Sequence, residues 1–122
     1  MPLLPPKPIL IVDDEEHSLK SLELALKSGG INNIIACNSS KNVMSILKEK
    51  DISIVLLDLV MPDISGEQLL PVIKKEYPAT AVIIITGINE VNTAVNCMKN
   101  GAHDYFTKPV EKPPNVPHQP HP

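Results

Sequence analysis

Four short apolar runs and a more polar fifth segment alternate along this 122-residue chain with stretches whose apolar residues recur at helical spacing. Ile9-Leu10-Ile11-Val12 closes on Asp13-Asp14-Glu15-Glu16. Those acids open a helix pattern with Leu19, Leu22, Leu24 and Leu26 among Lys and Glu, and Gly29-Gly30 end it, since Gly is favoured just past a helix C-terminus. Ile31 to Cys37 predicts a second strand, and Asn38-Ser39-Ser40 reads as a turn and helix N-cap. Val43, Met44, Ile46 and Leu47 then stripe a short helix reaching about Lys50. Ser53-Ile54-Val55-Leu56-Leu57 runs into Asp58, with Pro62 and Gly66 just beyond; a continuous apolar run bounded by turn residues fits a strand buried on both faces.

Leu69, Leu70, Val72 and Ile73 predict a third helix ending near Tyr77-Pro78. Pro71 falls past its first turn if it starts at Gly66 or Glu67, which predicts a mild kink or a later start. Ala81 to Ile85 is the most apolar run and ends on Thr86-Gly87. A fourth helix is expected from about Glu90 to Asn100, with Val91, Ala94, Val95 and Met98 inward and Gly101 stopping it. His103 to Thr107 gives a short fifth strand ending at Lys108-Pro109. Strands alternating with helices of this length predict an α/β fold with right-handed crossovers, a doubly wound flavodoxin-like parallel sheet of five strands in the order 2-1-3-4-5.

Thirteen prolines sit mainly at the two ends of the chain. Residues 1–6 read as a Pro-rich leader and 113–122 as a disordered Pro/His-rich tail or linker, whose His118 and His121 are linker residues rather than metal ligands. Helix is not expected at that proline density, so one flank of the sheet is expected to lack its final helix. Residues 7–112 are left as one domain. Its core must be aliphatic, because aromatics make up 2% of the chain against 43% hydrophobic residues overall. A net charge of −3 and the lack of a Lys/Arg cluster argue against a nucleic-acid surface. No apolar stretch approaches the ~20 residues of a membrane span, and the first residues lack a signal-peptide core, so the chain reads as cytoplasmic. Cys37 and Cys97 form no C-x-x-C pair and read as small buried hydrophobes.

Four of the five strands end on polar residues at one sheet edge: Asp13-Asp14, Asp58, Thr86 and Lys108. Each has an ordinary structural reading, the acids as turn formers or helix-dipole partners, Thr86 as a cap and Lys108 as a solvated charge. Together they suggest chemistry, because clustered carboxylates repel unless compensated. Hard oxygen ligands suit Mg²⁺, an amine can hold an incoming anion, and a hydroxyl can donate to it. Phosphoryl transfer onto an aspartate fits that set.

With I-L-I-V-D-D-E, L-L-D-L-V-M-P-D-I-S-G, I-I-I-T-G and G-A-H-D-Y-F-T-K-P in order, the chain resembles the receiver domain of two-component response regulators over roughly Lys7 to Lys112. The resemblance implies that Asp58 accepts a phosphoryl group from a histidine kinase. It implies that Asp13, Asp14, Asp58 and the backbone carbonyl of Val60 hold Mg²⁺, and that Thr86 and Lys108 engage the phosphoryl oxygens. Tyr105 matches the switch aromatic, Gly87 leaves room beside Thr86, and Pro109 stands where the family commonly has a cis peptide bond. The domain would then be a switch rather than an enzyme, acting through the face of the fourth helix and fifth strand on an output domain or partner, with transcription as the expected output and homodimerisation open. Its own continuation, an effector domain, is expected to have been cut off or replaced.

Two rivals are weighed. A dehalogenase-type phosphatase also uses a strand-end Asp, but needs a general acid two residues on, where this chain has Val60. Receiver-like modules that are never phosphorylated typically lose an acid or the Lys, and all are present here. Val60 and Ile88, two residues beyond Asp58 and Thr86, are apolar and cannot orient an attacking water, which predicts slow self-dephosphorylation.

Overall fold

The computed structural model describes residues 7–109. The expected leader and tail, and the place where a last helix would be present or missing, lie outside the described residues. Five parallel strands form one sheet in the order β2-β1-β3-β4-β5. They are β1 (Ile9–Val12), β2 (Ile34–Cys37), β3 (Ile54–Leu57), β4 (Ala81–Thr86) and β5 (Asp104–Thr107). Between them run α1 (Glu16–Ser28), α2 (Val43–Glu49) preceded by a 3-10 turn at Ser40–Asn42, α3 (Gly66–Glu76) and α4 (Val91–Lys99).

The alternation of side chains divides the sheet into two unequal apolar layers. Leu10, Val12, Val55, Leu57, Val82 and Ile84 pack with residues of α2, α3 and α4, including Val43, Leu47, Leu69, Leu70, Ile73 and Cys97. On the opposite face Ile11, Leu56 and Ile85 meet Leu19 and Leu22 of α1. Both faces of β1, β3 and β4 are thus used, which is why these strands read as unbroken apolar runs rather than alternating ones.

α3 starts at Gly66 and continues through Pro71, so the helix does not start later. Its first turn is closed by a reciprocal capping box between Ser65 and Gln68. Pro71 lies on the exposed side, where water can satisfy the Glu67 carbonyl that loses its intrahelical donor. The inward set expected for α4 is corrected. Val91, Val95 and Met98 are exposed, Val91 by 78%, and the buried anchor of the helix is Cys97. The face of α4 turned to the sheet is built from small residues, and its larger apolar residues project outward. Ser39 makes no side-chain cap before the 3-10 turn; the neighbouring Ser40 hydroxyl is engaged elsewhere.

Gly66 sets the distance between α3 and β3. Its N–H donates to the Leu59 carbonyl at 2.9 Å, and a Cβ there would lie 2.2 Å from the Asp58 carbonyl oxygen. At Gly87, by contrast, a Cβ would meet nothing within 4 Å. Gly66→Ala should therefore lower stability by about 1–3 kcal/mol by forcing α3 away from β3. Gly87→Ala should leave stability nearly unchanged. Paired urea unfolding curves of the two variants check this, and equal losses would contradict it.

Candidate functional site at the carboxyl ends of the strands

The chain leaves β1 to one side to make β2, then returns to make β3 on the other side of β1. The crevice between the carboxyl ends of β1 and β3 is the switch point of the sheet, where ligands bind in open α/β folds. Val12 and Leu57 are paired in register, so the next residues, Asp13 and Asp58, emerge side by side. Their backbones stay on the ladder: Asp13 N–H donates to the Cys37 carbonyl and Asp58 N–H to the Val12 carbonyl. Both side chains are buried.

Each of these aspartates uses its two oxygens differently. Asp13 Oδ1 accepts from Glu15 N–H at 3.0 Å, and Asp58 Oδ1 accepts from Val60 N–H at 3.2 Å. These are turn-forming bonds of the kind expected for Asp at a strand exit. The second oxygens converge on Lys108 Nζ, at 2.6 Å from Asp13 Oδ2 and 3.1 Å from Asp58 Oδ2. The turn-former and working-carboxylate readings of Asp58 are therefore compatible.

Lys108 follows β5 and reaches across the mouths of β4 and β3 to the end of β1. Its backbone N–H donates to the Thr86 carbonyl at 2.7 Å, and its ammonium also donates to Ser18 Oγ at 3.2 Å. Burial works to lower the Lys108 pKa, but the hydrogen bonds to Asp13 and Asp58 and their negative charge prevail and hold it above its ordinary value. For Asp13 the balance runs the other way. Burial, aided by the charge of Asp58, raises its pKa despite the bonds from Lys108 and from the Glu15 N–H.

Asp14 is exposed, and the carboxylates of Asp13, Asp14 and Asp58 bring one oxygen each within 4.8 Å of one another. Three carboxylates face one ammonium, leaving an excess of negative charge on hard oxygen donors. That donor set fits a small divalent cation such as Mg²⁺.

The remaining residues singled out in the sequence lie around this edge. Thr86 ends β4 fully buried, with its hydroxyl 3.5 Å from the Ile88 N–H. Tyr105 is half-buried on β5, and its hydroxyl donates to the Ile88 carbonyl at 2.7 Å, tying β5 to the loop that follows β4. The Lys108–Pro109 peptide is cis. Val60 projects its side chain into solvent from the β3–α3 loop.

The model of the response regulator receiver domain matches residues 9–115. The chain belongs to the response regulator receiver family. Among its relatives, the receiver is 45% identical over 103 residues to an NtrX-like response regulator of Rickettsia felis, covering 83% of this chain and 22% of that protein. It is 33% identical to the cell cycle transcriptional regulator CtrA of Caulobacter vibrioides, covering 85% of this chain and 45% of that one. The receiver thus spans less than half the length of these relatives. Among solved structures it is similar to a chain of the CheX–CheY–BeF3–Mg²⁺ complex from Borrelia burgdorferi, with a TM-score of 0.80 and 29% identity, covering 87% of this chain and 81% of that one. Receiver domains are signalling switches. No helix among the described residues is long and apolar enough to cross a membrane.

Two features of the receiver's site were not read from its sequence. One is the Ser18 contact to Lys108, made by a residue that looks like any polar position of α1. The other is the close packing of Gly66 on Asp58, legible there only as a strand stop.

Titration of Asp13 has a checkable sign. A carboxyl raised above its unfolded value adds stability that is fully present below that value and is lost as pH rises through the folded-state value. Near neutral pH, buried Asp13 is therefore a destabilising charge that a cation can compensate. Mg²⁺ should raise the melting temperature, with a gain of about 2.7 kcal/mol at a hundredfold excess over Kd. Protons compete for the same oxygens, so the gain should shrink as pH falls through the raised Asp13 value. Melting curves with and without Mg²⁺ across that range test this, and a gain that grows on acidification would contradict it.

Proposed function

We propose that this domain is a phosphorylation-activated switch in which Asp58 accepts a phosphoryl group from a histidine kinase. The observation that carries the reading is the placement of Lys108 Nζ, 3.1 Å from Asp58 Oδ2 and 2.6 Å from Asp13 Oδ2, inside a three-carboxylate cluster at the switch point of the sheet. The BeF3 and Mg²⁺ of the related CheX–CheY complex support the same assignment.

In this reading the Asp58 carboxylate attacks phosphorus, the bond from phosphorus to the donor breaks, and the leaving group keeps the electron pair. Asp13, Asp14, Asp58 and the Val60 backbone carbonyl would hold Mg²⁺. When bound, the ion neutralises charge on the phosphoryl oxygens. Lys108 exchanges its bond with Asp58 for one with the phosphoryl group, while Asp13 keeps the ammonium in place. Gly87, the residue after Thr86, borders open space, which would leave room for the phosphoryl group.

Phosphorylation adds about two negative charges and new acceptors. The Thr86 hydroxyl, whose 3.5 Å contact with Ile88 N–H is long for a hydrogen bond, turns toward them. Because Tyr105 is bonded to the Ile88 carbonyl, rearrangement of that loop shifts the aromatic ring as well. The change then reaches the face of α4 and β5, where Val91, Val95 and Met98 are exposed. That apolar surface is the output face of the switch, read by an output domain or a partner protein. The name of the CtrA relative, a cell cycle transcriptional regulator, favours control of transcription as the output.

Incubation with Mg²⁺ and acetyl phosphate, followed by intact mass, should give one phosphoryl adduct on the parent and none on Asp58→Asn. An unmodified parent beside a competent control receiver would refute the reading. Val60 and Ile88 supply no polar group to orient water, so the adduct should decay slowly and Val60→Asn should shorten its half-life several-fold. An unchanged half-life would remove Val60 as a timer.

A further inference from the structure

We propose that the Ser40 hydroxyl is a positioning residue for the acidic site, acting by clasping the far turn of the β3–α3 loop. Ser40 opens the 3-10 turn Ser40–Asn42 and is only 3% exposed. Its Oγ donates to the Pro62 carbonyl at 2.9 Å and accepts from the Ile64 N–H at 3.2 Å. A single hydroxyl thereby uses both its donor and an acceptor site on one loop, 22 and 24 residues away in sequence. The Ile64 N–H also donates to the Pro62 carbonyl at 2.8 Å, so the three groups close a small ring.

Between Pro62 and Ile64 lies Asp63, a non-glycine residue in the left-handed region at φ 70°. Asp tolerates that conformation, but it persists where the surroundings hold it. Ser40 bonds the residues on either side of Asp63, and Lys41, the next residue along, has its ammonium 3.9 Å from the Asp63 carboxylate. The 3-10 turn thus grips this loop at three successive positions.

The same loop carries Asp58 at its start and the Val60 carbonyl just after. Its near end is fixed by the Asp58 to Val60 N–H bond and by Gly66 N–H on the Leu59 carbonyl. Met61 is held by burial in the core, but nothing in those bonds holds the distal residues Pro62 to Ile64. The Ser40 clasp does, and it leaves the Val60 carbonyl with both neighbouring stretches held. Such outer contacts tune metal affinity by restricting how the direct ligands move. This role rests on the reading of the site as a Mg²⁺-dependent phosphoryl acceptor.

The test compares the parent with Ser40→Ala and with the nearly isosteric Ser40→Cys, whose thiol is a weaker donor and acceptor. Phosphorylation by acetyl phosphate is followed as Mg²⁺ is titrated, Mg²⁺ binding is measured separately by calorimetry, and amide exchange is read at Ile64 and in β1 and β3. For Ser40→Ala the half-saturating Mg²⁺ concentration and the calorimetric Kd should rise about tenfold. The rate at saturating Mg²⁺ should stay near the parent's, and exchange should quicken at Ile64 while β1 and β3 keep their protection. Ser40→Cys should move the same way by less, and it decides the matter if Ser40→Ala does not fold. An unchanged Mg²⁺ requirement in a folded variant would overturn the role of Ser40 while leaving Asp58 as acceptor. A parent that neither binds Mg²⁺ nor takes the phosphoryl group would overturn both.

Discussion

The Lys108 ammonium is the charge on which the carboxyl edge of this sheet depends. Two buried carboxylates lie side by side because β1 and β3 are in register, and without a cation their mutual repulsion and desolvation would oppose that register. Lys108 supplies the cation from the opposite edge strand, reaching Asp13 at 2.6 Å and Asp58 at 3.1 Å. The bridge stabilises the fold only modestly, because burial of three charged groups costs much of what their attraction returns. Its larger consequence, under the proposed function, is a site in which ions can be exchanged. A divalent ion would take over the compensation of the carboxylates, and a phosphoryl group would take over the ammonium.

Division of labour between the oxygens makes that exchange compatible with a fixed backbone. The Oδ1 atoms of Asp13 and Asp58 hold N–H groups two residues on and shape the strand exits. The Oδ2 atoms face Lys108. New bonds at Oδ2 therefore leave the local turns intact, and the change must be taken up by side chains and by the loop after β4. Thr86 and Tyr105 both touch Ile88 in that loop, one through the amide and one through the carbonyl, which is the path to β5 that the proposed switch would use.

Strand order, the α/β class and the polar edge were legible in the sequence, because strands buried on both faces are written as continuous apolar runs and four of the five strands end on polar residues at the same edge. The orientation of α4 was not. Val91, Val95 and Met98 stand at helical spacing and look like an inward stripe, yet the close approach of α4 to the sheet is made by Cys97, with small residues beside it. Periodicity shows that a helix has an apolar face; it does not show which of two faces packs on the sheet when the smaller residues fit more closely. At Pro71 the helix continues because the lost hydrogen bond falls on the solvent side, a fact about burial that local sequence does not contain.

Ser40 shows the same boundary between local and distant information. Asn38-Ser39-Ser40 before an apolar stripe reads as a helix cap, since caps are satisfied by groups two or three residues away. The hydroxyl instead spends its bonds on Pro62 and Ile64, which only the pairing of β1 with both β2 and β3 brings within reach. The same topology that opens the crevice for the acidic cluster thus sets a residue following β2 against the loop following β3. A polar residue at that place is free of the charge constraints that govern Asp13, Asp58 and Lys108. It can therefore change how firmly the loop is held, and with it the response to Mg²⁺, without altering the groups that carry the chemistry.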